Sequence, residues 1–518
     1  MISRVLGHAA AGVALIVALL AVSLVWAPRT TTDDAAPIVI PTTAAPTTTT
    51  TFVPPTTTRP PYDGWVDPLS SGEPWGTTVE GLLTFRGNPT RSYYGAGPVP
   101  TAPAVQWSFP AEGSLCSFSS VGGESIEWCG TGWTGQPAVL ERDGRTWVAF
   151  GSYGSAVHFL DGDTGERILP DFPVGDIIKG SVTIDPDGYP LLYTGSRDNF
   201  FRVLSFDTDQ PVELWKLSAD AVSPTLWNND WDGAALVIDD YLFEGGENSQ
   251  LHIVKLNRGY DDQGRVTVAP ELVFNAPGWD QELLDRVGRN VSIENSVAIS
   301  GDTLYFANSG GLVQGWDISG LADGTDPERV FRYWAGDDID ASIVIDGEGM
   351  LYIGVEYERA NSRSQEVGQI IKLDPSRPDD PLVWKRDERP YVDSGVWGTP
   401  ALYQDVLIVG TDEGRILALD QATGEERWSL QLNGPTWQSP VIVDDVFIIG
   451  DCEGVLHAYD VADTTVAPTE LWTLTLGGCI ESTPAVWDGW IYVGTRAGKF
   501  FAIADDPAAP TDSIEPTE

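Results

Sequence analysis

The stretch GTPALYQDVLIVGTDEGRILALDQATGEERW, Gly398 to Trp428, holds short apolar segments separated by turn residues. TPALY and VLIVG alternate across a D-containing turn. RILALD follows a Gly, and a TGE turn leads into ERW. Alternating segments of four to six residues between Gly, Asp and Asn are strands and hairpins. A four-stranded unit of this kind cannot bury its own two faces. It needs copies of itself.

The copies are present. Units open at Gln136, Ser181, Ser223, Ser296, Ser342, Thr399, Ser439 and Thr483, for example SPVIVDDVFIIG from Ser439 and TPAVWDGWIYVG from Thr483. Recurrence every roughly 40 to 50 residues indicates propeller blades, stacked radially so that each buries its neighbour's faces. The eighth unit runs out after KFFAIAD, one strand short. PAVQWSF, Pro103 to Phe109, precedes the first unit without a blade of its own. The expected fold is therefore all-β, an eight-bladed propeller closed by an N-terminal strand. Trp107, Trp215, Trp334, Trp384, Trp428 and Trp472 recur near blade ends and are expected to pack between blades.

Outside the repeats the chain changes character. AAAGVALIVALLAVSLVWA, Ala9 to Ala27, is uncharged and long enough to cross a bilayer, with Arg4 before it. The expected organisation is a cytoplasmic N-terminus at 1–8, a transmembrane anchor or uncleaved signal at 9–27 and a disordered Thr/Pro-rich linker at 28–61. A propeller with its lead-in segment follows at 62–505, then a disordered tail at 506–518. That places the protein in the cell membrane as a single-pass chain with its C-terminal domain extracellular, or secreted if the apolar segment is cleaved.

Charge narrows the partners. Lys and Arg number 30 against 75 Asp and Glu, a formal charge of -45. Such a surface repels phosphate backbones, so nucleic acid is excluded. Four cysteines allow three pairings. In an exported chain the early pair, Cys116 with Cys129, and the late pair, Cys452 with Cys479, are the expected disulfides. No Walker loop, dinucleotide fingerprint or G-x-S-x-G is present.

ALDQATGEERW, Ala418 to Trp428, with TPALYQDVLIVGTDEG, resembles the tryptophan-docking repeat of pyrroloquinoline-quinone-like propellers. LTFRGNPTRSYYGAGPVPTAPAVQWSF, Leu83 to Phe109, is similar to their opening segment. The resemblance implies the fold over about Phe85 to Asp505. Its scaffold serves both quinone-dependent dehydrogenases and non-catalytic proteins such as the outer-membrane assembly lipoprotein. The dehydrogenases add a quinone held through Ca²⁺ and a disulfide of adjacent cysteines, and this sequence has no adjacent pair.

Residues two positions before each blade's opening Ser or Thr should ring the channel mouth. They include Lys179, Glu294, Asp340, Trp397, Trp437 and Glu481, with Asn295 beside Glu294. Glu294, Asn295 and Asp340 offer the oxygens that Ca²⁺ prefers, and Trp397 and Trp437 could stack a ligand. Two insertions, Arg258–Glu294 and Glu356–Gly368, break the blade plan and suit recognition. The leading functional expectation is a membrane-tethered scaffold without chemistry, binding a protein or cell-envelope component and requiring no cofactor, with Ca²⁺ as a candidate ion and pyrroloquinoline quinone not expected. The alternatives are an oxidoreductase of an alcohol or sugar, dependent on Ca²⁺ and pyrroloquinoline quinone, and a propeller that binds or hydrolyses glycans.

Overall fold

The computed structural model describes residues 62–508, apart from 77, 122–123 and 134. Eight sheets of antiparallel blade strands follow one another along the chain; six have their four strands in sequential order from the inside outward, and the first and eighth also take strands from the lead-in segment. The Gly398–Trp428 stretch is the sixth sheet: Ala401–Tyr403, Val406–Gly410, Arg415–Asp420 and Glu426–Gln431. Its two middle strands are almost wholly buried because both faces are covered by neighbouring blades.

Each blade shares a hydrophobic core with the next. Leu192 and Leu204 of blade 2 pack with Ala149 and Phe159 of blade 1. At the seam, Val148 and Phe150 of blade 1 pack with Tyr492, Phe500 and Ala502 of blade 8, so the ring is closed. The missing eighth-blade strand is supplied as expected. β3 (Pro103–Phe109), the third strand of the lead-in segment, pairs antiparallel with Lys499–Asp505. Before it, β1 (Gly81–Leu82) and β2 (Gly95–Ala96) add an inner strand to blades 1 and 8.

The recurrent Ser and Thr have a physical reason. The Ala234 N–H donates to Ser296 Oγ, Ser296 N–H to Ser342 Oγ, Ser342 N–H to Thr399 Oγ1 and Thr399 N–H to Ser439 Oγ, each at 2.9 Å. Hydroxyls thus satisfy backbone donors that sheet pairing cannot reach at the channel wall. The tryptophans lock the outer rim. Trp384 Nε1 donates to Gln421 O at 2.9 Å and its ring lies on Gly424, where a Cβ would meet Cδ2 at 2.7 Å. Trp107 does the same on Gly162 O and Gly165 of blade 1. This is why TGE turns recur: the glycine adopts positive φ and leaves room for the indole.

The stretch from β1 to β2 fills the channel and bonds to every blade. Arg86 and Arg91 are fully buried there. Arg86 donates to Pro400 O at 2.6 Å and to Pro440 O, and Arg91 to Ala234 O at 2.7 Å and Val297 O at 2.8 Å. The Arg86 N–H reaches Gln136 Oε1, and Thr84 meets Thr183 at 2.9 Å. Pro89 O and Thr90 O accept from Ile299 and Ile345, and β2 lies along Val486–Trp487.

The cysteines form two disulfides, Cys116–Cys129 and Cys452–Cys479. The first closes a projecting hairpin, β4 (Cys116–Val121) and β5 (Glu124–Cys129). Two short helices, α1 (Gln281–Val287) and α2 (Ser362–Val367), occupy the two insertions.

One part of the expected fold is corrected. Among the described residues no helix is long and apolar enough to cross a membrane. The single-pass fold, membrane association and membrane location expected from the sequence are therefore not supported by the described residues. The Ala9–Ala27 stretch and the 28–61 linker lie outside the described residues, as does the tail beyond 508.

Candidate functional site

The channel mouth is built from the loops that lead into each innermost strand and from the loops joining second to third strands. Just before blades 3 and 5 the chain reads DWD and DID: Asp230 and Asp232, then Asp338 and Asp340. Glu247 and Glu356, from the second-to-third-strand loops, complete two buried trios. In each, one oxygen per residue lies within 4.8 Å of the others.

The blade 3 trio already holds its cations. Lys179 Nζ contacts Asp232 and lies 3.1 Å from Glu247 Oε1. Arg197 pairs with Asp230, and Asn228 Nδ2 donates to Glu247 Oε2 at 2.8 Å. Burial pulls the Lys179 ammonium down, but Asp232 and Glu247 outweigh it and hold it well above its usual value. Glu247 is held low despite burial, chiefly by Lys179. Burial keeps the Asp232 proton on, and pushes Asp230 up to about 7 with Glu247 adding to it. Lys179 and Glu247 are the ionised pair, and the site is electrostatically filled.

The blade 5 trio is not. Asp338, Asp340 and Glu356 are all more than nine-tenths buried, and Asp338 Oδ1, Asp340 Oδ1 and Glu356 Oε1 have no hydrogen-bond partner. Among the described residues Arg359 approaches, 3.5 Å from Asp338 Oδ2, and Glu356 and Asp340 share a side-chain hydrogen bond. Burial pushes Asp338 up to about 8, against Arg359. Asp340 and Glu356 stand well above the carboxylate range, by burial first and then by their neighbours' charges. Unpaired buried carboxyls of this kind are costly unless a proton or a cation neutralises them. Oxygen-only donors suit a hard cation such as Ca²⁺, and the acidic clusters are consistent with Ca²⁺ binding.

Glu294 lies between the trios. Its Oε1 accepts from Ser292 Oγ at 2.7 Å and Ser309 Oγ at 3.2 Å. Burial and then Glu247 raise it, with Lys179 opposing, and its charge in turn raises Asp338 and Asp340. Asn295 sits behind it. Its Nδ2 donates to Ala307 O at 3.0 Å and Ile339 O at 2.8 Å, tying blade 4 to blade 5. Trp397 and Trp437 stack on each other, centroids 5.3 Å apart and planes at 26°, with Trp437 Nε1 donating to Asp412. Glu481 pairs with Arg496 at 3.1 Å. Sequence reasoning named Lys179, Glu294 and Asp340 but missed their partners Glu247, Asp338 and Glu356. The D-x-D spacing before an inner strand was the available signal, since alternate residues of an extended segment share a side.

A cation fits the blade 5 trio. A planar quinone finds no such match among the described residues. The two mouth indoles cover each other's faces, and the two disulfides join cysteines 13 and 27 positions apart. A cavity of about 690 Å³ is lined by Ser71, Asp346, Lys372 and Tyr403 among others, none of them in either trio.

One further constellation imitates a catalytic triad. Ser152 Oγ lies 2.9 Å from His158 Nε2, and His158 Nδ1 lies 3.0 Å from Asp171 Oδ1. Ser152 is fully buried. His252 with Asn248 and His457 with Asp451 repeat the contact at the same place in blades 3 and 7. It is a blade-stabilising bond, repeated with the blades.

A family described as outer membrane protein assembly factor BamB matches residues 366–505, less than half of the chain. No curated protein matches. Among solved structures, the chain is similar to quinohemoprotein alcohol dehydrogenase from Comamonas testosteroni. Identity is 13%, over 82% of this chain and 80% of that one, with a TM-score of 0.56. A europium-containing methanol dehydrogenase is 12% identical over 82% of this chain and 98% of its own, with a TM-score of 0.55. BamB from Moraxella catarrhalis is 15% identical over 79% and 99%, with a TM-score of 0.49. The chain is thus a β-propeller whose residues 366–505 match the assembly-factor repeat model, and its likeness to the two dehydrogenases is one of fold. The expectation of a propeller without chemistry is corrected on two counts. Its fold is the one these two dehydrogenases use, and its channel face carries carboxylate clusters of metal-ligand spacing.

Proposed function

We propose that the protein is a calcium-dependent oxidoreductase acting on a hydroxyl-bearing substrate, an alcohol or a sugar, at the channel mouth. The observation that carries this is the blade 5 trio, three buried carboxyls each with one unpartnered oxygen and, among the described residues, Arg359 as the cation beside them. Asp338, Asp340 and Glu356 would hold the ion. A bound Ca²⁺ has room in its coordination for waters or a substrate hydroxyl, which it would polarise.

The chain's own residues supply the rest. Glu294, raised by burial yet oriented by Ser292 and Ser309, is the carboxylate suited to take up the hydroxyl proton at its side-chain oxygen. Lys179 keeps the neighbouring trio neutralised, so only one of the two sites draws in a cation. The hydride equivalent on the substrate carbon, with its two electrons, would leave to an exogenous redox acceptor, a quinone or dye, which is reduced as the hydroxyl becomes a carbonyl.

Full-length protein is assayed for dye reduction with a panel of alcohols and sugars, with and without Ca²⁺ and with and without added pyrroloquinoline quinone. Activity that requires Ca²⁺ and is lost in Glu356→Gln supports the proposal. Calcium that binds without any alcohol or sugar being oxidised refutes the enzymatic part. Calcium that binds Glu356→Gln as it binds wild type refutes the site.

A further inference from the structure

We propose that the groove between blades 4 and 5 is a receptor for an oxyanion, a carboxylate or phosphate group, held by Arg286, Arg332, Arg363 and the Tyr333 hydroxyl. This site is separate from the channel mouth and does not rest on the calcium proposal.

The two insertions that break the repeat converge there. α1 contributes Arg286 and Glu282, and α2 contributes Arg363 and Glu366. With Arg332, Tyr333 and Trp334 of blade 4 they line a cavity of about 570 Å³. Three guanidiniums share this lining with four carboxylates, Glu282, Glu366, Asp379 and Asp380, in a chain of 30 cationic and 75 acidic residues. Two are braced on aromatic rings: Arg286 lies 4.6 Å from the Trp334 centroid and Arg363 5.4 Å from that of Tyr333. Arg363 Nε is further fixed by Trp334 O at 3.0 Å. A braced planar fork loses little freedom on meeting a carboxylate or phosphate.

The second observation is Tyr333 itself. It is 7% exposed, lines the cavity, and its hydroxyl has no hydrogen-bond partner. A buried hydroxyl without a partner is costly to keep for folding alone. An oxyanion at the guanidiniums would accept a hydrogen bond from it.

The acidic residues of the groove define what can bind. Glu282 and Glu366 hold Arg286 and Arg363 through i,i+4 and i,i+3 pairs, and both are more than half exposed. Exposed pairs of this kind are weak and yield to a better acceptor. Asp280 holds Arg332 bidentately and caps α1, so it stays in place. Asp379 and Asp380 line the same cavity and would repel a polyanion, which favours a small ligand with one anionic group at the guanidiniums.

The test is calorimetric titration of the full-length chain with inorganic phosphate and, separately, with succinate. Binding of one probe identifies the oxyanion class, and binding of both identifies a shared receptor. Tyr333→Phe should weaken binding roughly tenfold, as loss of a hydrogen bond to a charged group does, without lowering the unfolding midpoint. Arg286→Gln should weaken it further, whereas the Glu282→Gln/Glu366→Gln double variant should tighten it several-fold. If neither probe binds, or if Tyr333→Phe and Arg286→Gln leave affinity unchanged, the site is overturned.

Discussion

Replacing Asp340 by Asn should make the protein more stable without calcium and less stable with it. Oxygens of Asp338, Asp340 and Glu356 lie within 4.8 Å of one another. Two ionised carboxylates at that distance repel by about 3.5 kcal/mol at an effective dielectric near 20. The ion-free chain avoids this by keeping protons on, at a cost near neutral pH. Asn keeps the shape of Asp and carries no charge, so we expect the variant to gain about 1–3 kcal/mol in chelator. Calcium reverses the order. At one hundred times its dissociation constant it should stabilise wild type by about 2.7 kcal/mol, and the variant, lacking one ligand, by much less. Urea unfolding of both proteins in chelator and in calcium gives four midpoints. The wild-type and variant values should change rank between the two conditions. A variant that is less stable in chelator, or that responds to calcium as wild type does, would refute the electrostatic picture of the trio.

Three further outcomes follow from the fold. Arg86→Ala strips donors from Pro400 O and Pro440 O in the closed channel and should cost about 3–5 kcal/mol in urea unfolding, since each orphaned buried carbonyl costs about 1–3. Trp107→Ala removes both the indole that covers Gly165 and its bond to Gly162 O; a loss of about 3–5 kcal/mol is expected, with faster hydrogen exchange at the blade 8–blade 1 seam. Burial holds His252 down at about 4, from an ordinary 6.5. Between those values the unfolded chain binds a proton that the folded chain refuses, so stability should fall as pH drops through that window. The full loss is about 3 kcal/mol, read as the difference between wild type and His252→Gln across pH 4–7.

The blades were legible because they are made of local rules repeated. Alternation set the strands of Gly398–Trp428, and TGE marked a turn whose glycine must accept an indole. The closing pairing of Pro103–Phe109 with Lys499–Asp505 followed from counting strands. The channel filling was not legible. β1 and β2 are two residues each, too short for a period, and nothing local to Arg86 or Arg91 announces that a charged side chain will spend its donors on main-chain carbonyls over 300 and over 200 residues away. The candidate site was half legible. Lys179, Glu294 and Asp340 came from position along each unit. Glu247 and Glu356 come from a different loop, and only folding brings them to the same trios. Asn295, which its type marks as an oxygen donor, is engaged by main chain of two blades.

The Gly81–Ala96 segment also acts as a gauge. It carries a separate attachment for each of eight sheets, from Gln136 round to Asp488, so a ring of seven or nine would leave a tether idle or a sheet unheld. Duplication or loss of one unit, the usual way in which such arrays change size, is thereby penalised. The same segment leaves the ribosome before any of its eight anchorages exists, and must wait for the last of them before the wheel can be trued.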